Sequence, residues 1–246
     1  TMKSINGQLE FIDEHFARLW KGMQVLQFAI PKQFTPDILE QEIQSLLKKN
    51  GHGKMARVRL TVFRGDGGLY DTTDHKPNYL LQSWALPDET GSWNSNGLVL
   101  GVYTDIKKSC DILSNLKHNN FLPYALAALQ AKKEKWNDAV LLNTGGRLCD
   151  TSIANIFLIK DEVIYTPALA EGCIAGVMRR NLVEKLTAGG YKLVEDKLSV
   201  DELLYADEVF LTNSIYNMRW VQSVGDKKYS NAQTQKIYAA FFSTNS

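Results

Sequence analysis

The 246-residue chain has few cysteines and prolines and almost no net charge, and these shortages exclude several classes of protein. Its three cysteines, Cys110, Cys149 and Cys173, form no CxxC pair. This argues against a disulfide scaffold or structural zinc and is typical of a reduced, cytoplasmic protein. A formal charge of +1 indicates no nucleic-acid partner and no anionic membrane. The longest mainly apolar stretch, residues 122–131, is too short for a membrane span of roughly 20 residues.

The chain also lacks the common catalytic and nucleotide-binding signatures. No GxGxxG, GxxxxGK[ST], HExxH or GxSxG sequence occurs. The four histidines show no metal-ligand spacing, so we expect no metal site. Residues 64–70 read as a Gly-rich turn. Such a turn is equally typical of a plain loop and of a loop that lines a ligand site.

Hydrophobic periodicity predicts an α+β protein with two domains. Residues 1–107 read as a small N-terminal α/β domain that opens with an Asn-Gly hairpin. Residues 108–246 read as a larger C-terminal mixed domain. In it paired strands alternate with helices near residues 121–135 and 176–187 and from residue 232 onward.

Three segments of the second domain carry side chains suited to chemistry. Lys117 precedes a helix and is flanked by leucines, Asp150 lies between strand-like segments, and Gly176 begins a helix at Val177 and Met178. Each alone is more typical of a surface lysine, a turn carboxylate or an ordinary helix start. Together they could supply an imine-forming amine, an anion that faces a pyridinium and an anion-binding helix N-terminus. These are the needs of an enzyme that uses pyridoxal 5'-phosphate (PLP).

The order of motifs along nearly the whole chain resembles the class-IV aminotransferase family of fold-type IV PLP enzymes. This group includes branched-chain and D-amino-acid aminotransferases and aminodeoxychorismate lyases. The motifs that carry the resemblance are His15-Phe-Ala-Arg18-Leu19, Lys117-His-Asn-Asn-Phe-Leu122, Asp150 with Asn155, residues 174–179, and residues 206–214.

The resemblance implies a role for each matching residue. Lys117 would hold the cofactor as a Schiff base and then move the proton at the substrate Cα. Asp150 would face the pyridine nitrogen, Asn155 belongs to the same motif, and Ile174 would pack on one ring face. The phosphate would be bound by the residues Arg18, Val177, Met178 and Ser214. The family is also typically dimeric, with its site between the domains, and usually has further residues before the position of Thr1.

The implied activity is transfer of an amino group between an amino acid and a 2-oxo acid. The alternative is an aminodeoxychorismate lyase that releases 4-aminobenzoate and pyruvate, because Asn120 and Leu122 match the lyase pattern. A non-catalytic family member is a third hypothesis, since Asp150 stands where the family usually has glutamate.

Overall fold

The computed structural model describes residues 1–68 and 74–242; the end of the Gly-rich turn, at residues 69 and 70, lies outside them. The chain divides into two compact units, Thr1–Thr90 and Gly91–Ser246.

The first unit is a four-stranded antiparallel sheet with two helices. Its elements are β1 (Met2–Ile5), β2 (Gln8–Leu9), α1 (Ile12–Val25), α2 (Pro36–Lys49), β3 (Met55–Arg64) and β4 (Pro77–Ala85). The strand order is β2-β1-β3-β4, and the Asn-Gly hairpin pairs Ile5 with Gln8 as its turn chemistry predicts. Apolar residues of α1, α2 and the strands form one core, which includes Phe16, Leu39 and Val58.

The starts of the two helices differ in how well the sequence predicts them. Thr35 caps α2 through its side chain, which accepts from the Ile38 amide at 3.4 Å. Asp13 precedes apolar residues at helical spacing, which predicts it as the cap of α1, but α1 begins at Ile12, one residue before Asp13. Phe11 occupies the cap position with a left-handed φ of 53°, and Asp13 lies in the first helical turn.

The second unit is a larger mixed sheet covered by helices. Its strands are β5 (Leu98–Lys108), β6 (Asp138–Asn143), β7 (Leu148–Thr151), β8 (Asn155–Lys160), β9 (Val163–Pro167), β10 (Leu193–Asp196), β11 (Glu208–Asn213), β12 (Asn217–Val224) and β13 (Lys227–Lys228). The strand order is β10-β9-β8-β11-β12-β5-β6-β7, with β13 beside β12. Its helices are α3 (Leu122–Lys133), α4 (Val177–Ala188), α5 (Val200–Tyr205) and α6 (Ala232–Phe242).

The division between the units precedes the boundary expected after residue 107. The reason is β5, whose later part carries polar residues and reads as a loop in the sequence. β5 pairs in parallel with β6, as in Val102 with Val140, and with β12, as in Leu98 with Val221. Because both partners lie in the larger sheet, β5 belongs to the second unit.

Candidate active site

Asp150 lies on β7 and is only 2% exposed. Its carboxylate accepts hydrogen bonds from three different groups. The Lys108 ammonium lies 2.9 Å from both Oδ1 and Oδ2, the Ile174 amide donates to Oδ2 at 2.9 Å, and the Tyr124 hydroxyl donates to Oδ2 at 3.0 Å. Three donors compensate the burial of a charge that would otherwise be costly to remove from water.

Sequence reasoning missed Lys108 and Tyr124. Lys108 ends β5 beside Asn143 of β6, so its side chain is buried, whereas the adjacent Lys107 is exposed. Its ammonium also donates to the Tyr124 hydroxyl and lies 4.6 Å from the centre of that ring. The sequence gives no signal for its burial, because the register of β5 against β6 shifts between Tyr103 and Lys107. Burial and the neighbouring Asp150 raise the pKa of Tyr124, which keeps its hydroxyl protonated as a donor.

A second buried carboxylate fixes the loop that leads from Asp150 to Asn155. Asp138 accepts from the Thr151 hydroxyl at 2.6 Å and from the Ser152 hydroxyl at 2.5 Å. It also accepts from the Ser152 amide at 3.1 Å. Burial raises the pKa of Asp138, while these hydrogen bonds oppose the rise. These hydrogen bonds fix the conformation of the loop, so the separation between Asp150 and Asn155 is defined.

Asn155 positions the turn before α4. Its Nδ2 donates to the Ile174 carbonyl at 2.9 Å. Its Oδ1 lies so near Gly176 that a Cβ at that glycine would be only 2.1 Å away. Glycine is therefore required here by close approach, because the φ of Gly176 is an ordinary −67°.

The N-terminus of α4 has the features of an anion site. Gly176 is its cap residue, Val177 and Met178 are its first two residues, and no side chain in the described part of the chain caps it. The first amides of a helix carry partial positive charge and lack intrahelical acceptors. Thr212 of β11 pairs with Asn155 of β8, so the two side chains share a face of the sheet.

Thr212 is 1% exposed, and its hydroxyl finds no partner within the described residues. Ser214 follows two residues later, half-buried, in the turn between β11 and β12. An unsatisfied buried hydroxyl on the Asn155 face is a donor available to a bound anion.

The Lys117 segment is tied to the turn before α4. Asn115 donates to the carbonyls of Leu169 and Cys173 at 2.8 and 2.7 Å, and its own carbonyl accepts from the Ala175 amide at 3.1 Å. Lys117 itself is exposed. The structure therefore connects the backbone near Lys117 with the segment whose Ile174 amide contacts Asp150.

Arg18 lies on α1 in the first unit, where it is partly exposed. Its Nη2 is 3.5 Å from Nδ1 of His15, one helical turn earlier, as the sequence spacing predicts. Burial, the N-terminus and Arg18 lower the pKa of His15 to about 2. His15 is therefore neutral and accepts from Arg18.

Within residues 1–68 and 74–242, no cluster of three His, Cys, Asp or Glu side chains is arranged for a metal ion. That part of the chain also contains no α-helix with the length and apolar character of a bilayer crossing.

The second-unit residues fit a pyridine ring that carries a phosphate. The helix start and the unpartnered Thr212 hydroxyl suit the phosphate. Among the described residues Asp150 Oδ1 accepts a hydrogen bond from Lys108, and an oxygen with two lone pairs can accept another.

Residues 1–224 match the family described as "Amino-transferase class IV", and the chain therefore belongs to that family of enzymes. It is 30% identical to an aminodeoxychorismate lyase of Vibrio harveyi, over 91% of this chain and 81% of that protein. It is 25% identical to a branched-chain-amino-acid aminotransferase of Pseudomonas aeruginosa, over 94% and 76%. The fold matches a branched-chain aminotransferase of Thermobaculum terrenum, solved in its PLP form. The TM-score is 0.86 at 17% identity, over 97% of this chain and 81% of that one.

These similarities confirm the predicted family, the mixed α+β fold of class-IV aminotransferases and the enzymatic nature of the chain. Both the aminotransferase and the lyase activities occur among its relatives. The roles of the individual site residues, Arg18 among them, remain predictions.

Proposed function

We propose that this enzyme uses PLP to move an amino group between an amino acid and a 2-oxo acid. The observation that carries the proposal is the hydrogen-bonded connection of three segments in the second unit. Asn115, next to the Lys117 segment, contacts Cys173 and Ala175. Ile174, between them, contacts Asp150. These hydrogen bonds join motifs that are separate in the sequence into one cluster.

When bound, PLP supplies an aldehyde that takes up amines and a ring that withdraws electrons from the substrate Cα. Lys117 provides the amine that attaches the cofactor, and its exposure leaves it accessible to cofactor and substrate. With PLP bound, the Lys117 amine would also move the proton between the substrate Cα and the cofactor carbon C4'. A flexible side chain with one mobile proton suits both roles.

The remaining residues hold the cofactor. Val177 and Met178 would bind the phosphate through their amides, and Arg18 and Ser214 are the further residues proposed to bind it. Ile174 would pack on the ring, and Asn155 fixes the turn that carries Ile174. Asp150 would face the ring nitrogen.

A cytoplasmic location and a homodimer complete the proposal. Support for the location comes from three free cysteines, of which Cys149 and Cys173 are buried. Support for the dimer comes from apolar side chains that α3 leaves exposed, with Leu122 at 67% and Leu129 at 63%. Sedimentation equilibrium of the purified chain tests the dimer.

The experiment that tests the function is visible absorption of the protein with PLP, for wild type, Lys117→Ala and Lys107→Ala. We expect a band in the wild type and in the Lys107 control, and its absence in Lys117→Ala. L-Glutamate, L-leucine and D-alanine are then added in turn. Loss of the band with one donor supports transamination and gives its stereochemistry, while no band in wild type would refute PLP binding.

The second candidate is an aminodeoxychorismate lyase. Asn120 and Leu122 after Lys117 favour it, as does the 30% identity to the Vibrio harveyi lyase over 91% of this chain. Pyruvate release from aminodeoxychorismate, in a protein whose band no amino donor removes, would replace the aminotransferase proposal with this one.

A further inference from the structure

Four threonines are buried in the part of the chain that the structure describes, and Thr212 is the exception among them. The hydroxyls of the other three donate hydrogen bonds of 2.6, 2.9 and 2.7 Å: Thr151 to Asp138, Thr166 to the Ile156 carbonyl and Thr234 to Glu208. The Thr212 hydroxyl has no such partner within residues 1–68 and 74–242. A buried hydroxyl that makes no hydrogen bond lowers the stability of a fold, so its presence calls for an explanation.

The pairing of β8 with β11 shows which way the Thr212 side chain points. Phe210 of β11 pairs with Phe157 of β8, and both rings belong to the core that includes Leu182 of α4. Side chains two residues apart along a strand share a face of the sheet. Thr212 and its partner Asn155 therefore lie one row further along the face that α4 covers.

Asn155 identifies the end of α4 that this row meets. Its Oδ1 closely approaches Gly176, the cap residue of α4, so the row lies at the N-terminus of the helix. The helix begins there with Val177 and Met178, and no side chain that the structure describes caps it. The Thr212 hydroxyl is therefore a buried donor at the same place as backbone amides that lack an intrahelical acceptor.

We propose that the Thr212 hydroxyl donates a hydrogen bond to the phosphate of bound PLP, and that this bond is the reason for the unpaired hydroxyl in the protein alone. The inference rests on the proposed PLP chemistry and adds a phosphate ligand that sequence analysis did not identify. A phosphate suits this position because it offers several charged acceptor oxygens to donors that arrive from different elements.

The proposal gives the hydroxyl opposite effects on stability and on binding. Without cofactor the hydroxyl is buried and unpaired, so Thr212→Val, which keeps the shape of the side chain, should make the protein more resistant to urea. With cofactor the same change removes a hydrogen bond to a charged acceptor, so the dissociation constant for PLP should rise about tenfold or more. A hydroxyl that served the fold through a buried water would instead be destabilised by its loss.

The test measures the dissociation constants of PLP and of pyridoxal from the Lys117-dependent absorption band. Pyridoxal has the same ring and aldehyde but no phosphate. For Thr212→Val we expect weaker binding of PLP, unchanged binding of pyridoxal and a higher urea midpoint of the cofactor-free protein. Thr212→Ser keeps the hydroxyl and should bind PLP like wild type.

Thr166→Val is the matched control, because it is the same substitution at a buried threonine whose hydroxyl donates to the Ile156 carbonyl. It should lower the urea midpoint and leave the affinity for PLP unchanged.

Three results would each overturn the inference: an unchanged affinity of Thr212→Val for PLP, an equal loss of affinity for PLP and pyridoxal, or a urea midpoint below that of wild type. A Thr212→Val protein that does not fold belongs with the last of these. The proposed function would still stand in all three cases, because the band of wild type is measured alongside. A missing band in wild type would overturn both proposals.

Discussion

Asn155 and Gly176 approach each other so closely that no side chain fits between them. A Cβ on Gly176 would lie 2.1 Å from Asn155 Oδ1, well inside the sum of the van der Waals radii. Asn155 cannot retreat without losing its 2.9 Å hydrogen bond to the Ile174 carbonyl. The cap of α4 and the segment next to Asp150 therefore move together.

Gly176→Ala should destabilise the protein by about 1–3 kcal/mol, because the methyl group overpacks this contact. It should also weaken PLP binding, because the first amides of α4 are displaced. Gly22→Ala is the matched control. Gly22 lies inside α1, and beyond its chain neighbours and the adjoining helix backbone no atom of the described residues lies within 4 Å of an added Cβ, so alanine there should stabilise by about 0.5–1 kcal/mol. Urea unfolding of the three proteins measures the signs, and equal effects of the two changes would contradict the packing argument.

Asp150→Asn should destabilise the protein by about 3–5 kcal/mol, because it leaves the Lys108 ammonium buried without its anion. Lys108→Met combined with Asp150→Asn should recover part of this loss, since the uncompensated charge is gone. A double-mutant cycle of unfolding free energies measures the coupling. Additive effects of the two substitutions would show that the pair contributes nothing to stability.

Buried His15 should make the stability fall in mild acid. Its pKa is lowered to about 2 in the folded chain, whereas an unfolded histidine has the model value of 6.5. The unfolded state therefore binds more protons below pH 6.5. Stability is fully present above that pH and falls as the pH drops, by up to about 1.4 kcal/mol per pH unit from this group.

The check is the pH dependence of the unfolding free energy between pH 7 and 5. His15→Gln should reduce the slope, and His75→Gln, at an exposed position, should leave it unchanged. A slope that His15→Gln does not alter would refute the assignment of a neutral, buried imidazole.

The three cysteines should differ sharply in reactivity. Cys110 is exposed, whereas Cys149 and Cys173 are buried. Burial raises the pKa of the Cys173 thiol to about 11 and that of Cys149 further, so little thiolate is present at either. A thiol reagent at pH 7.5 should react quickly with one cysteine thiol in the native protein and with all three thiols after unfolding. Cys110→Ser should show no fast group.

The sequence predicted most elements because apolar periodicity marks them locally. Residues 36–49 and 232–242 are amphipathic over several turns, and Ser199 with Glu202 forms the capping box that its spacing indicates. The placement of Lys108 could not be predicted, because it depends on how β5 pairs with β6, and register is a tertiary property. Thr212 was missed for the same reason, since its partner on β8 lies more than fifty residues earlier.

The position of β5 between β12 and β6 has a consequence for how the chain folds during synthesis. β5 opens the larger sheet, but its partner β12 comes almost half the chain later, with Leu98 beside Val221. A strand whose neighbour is not yet made exposes its backbone and apolar side chains. The second unit therefore cannot complete its sheet until the chain as far as Lys228 has left the ribosome. High contact order of this kind slows folding, and the delay gives chaperones time to bind the unfinished second unit.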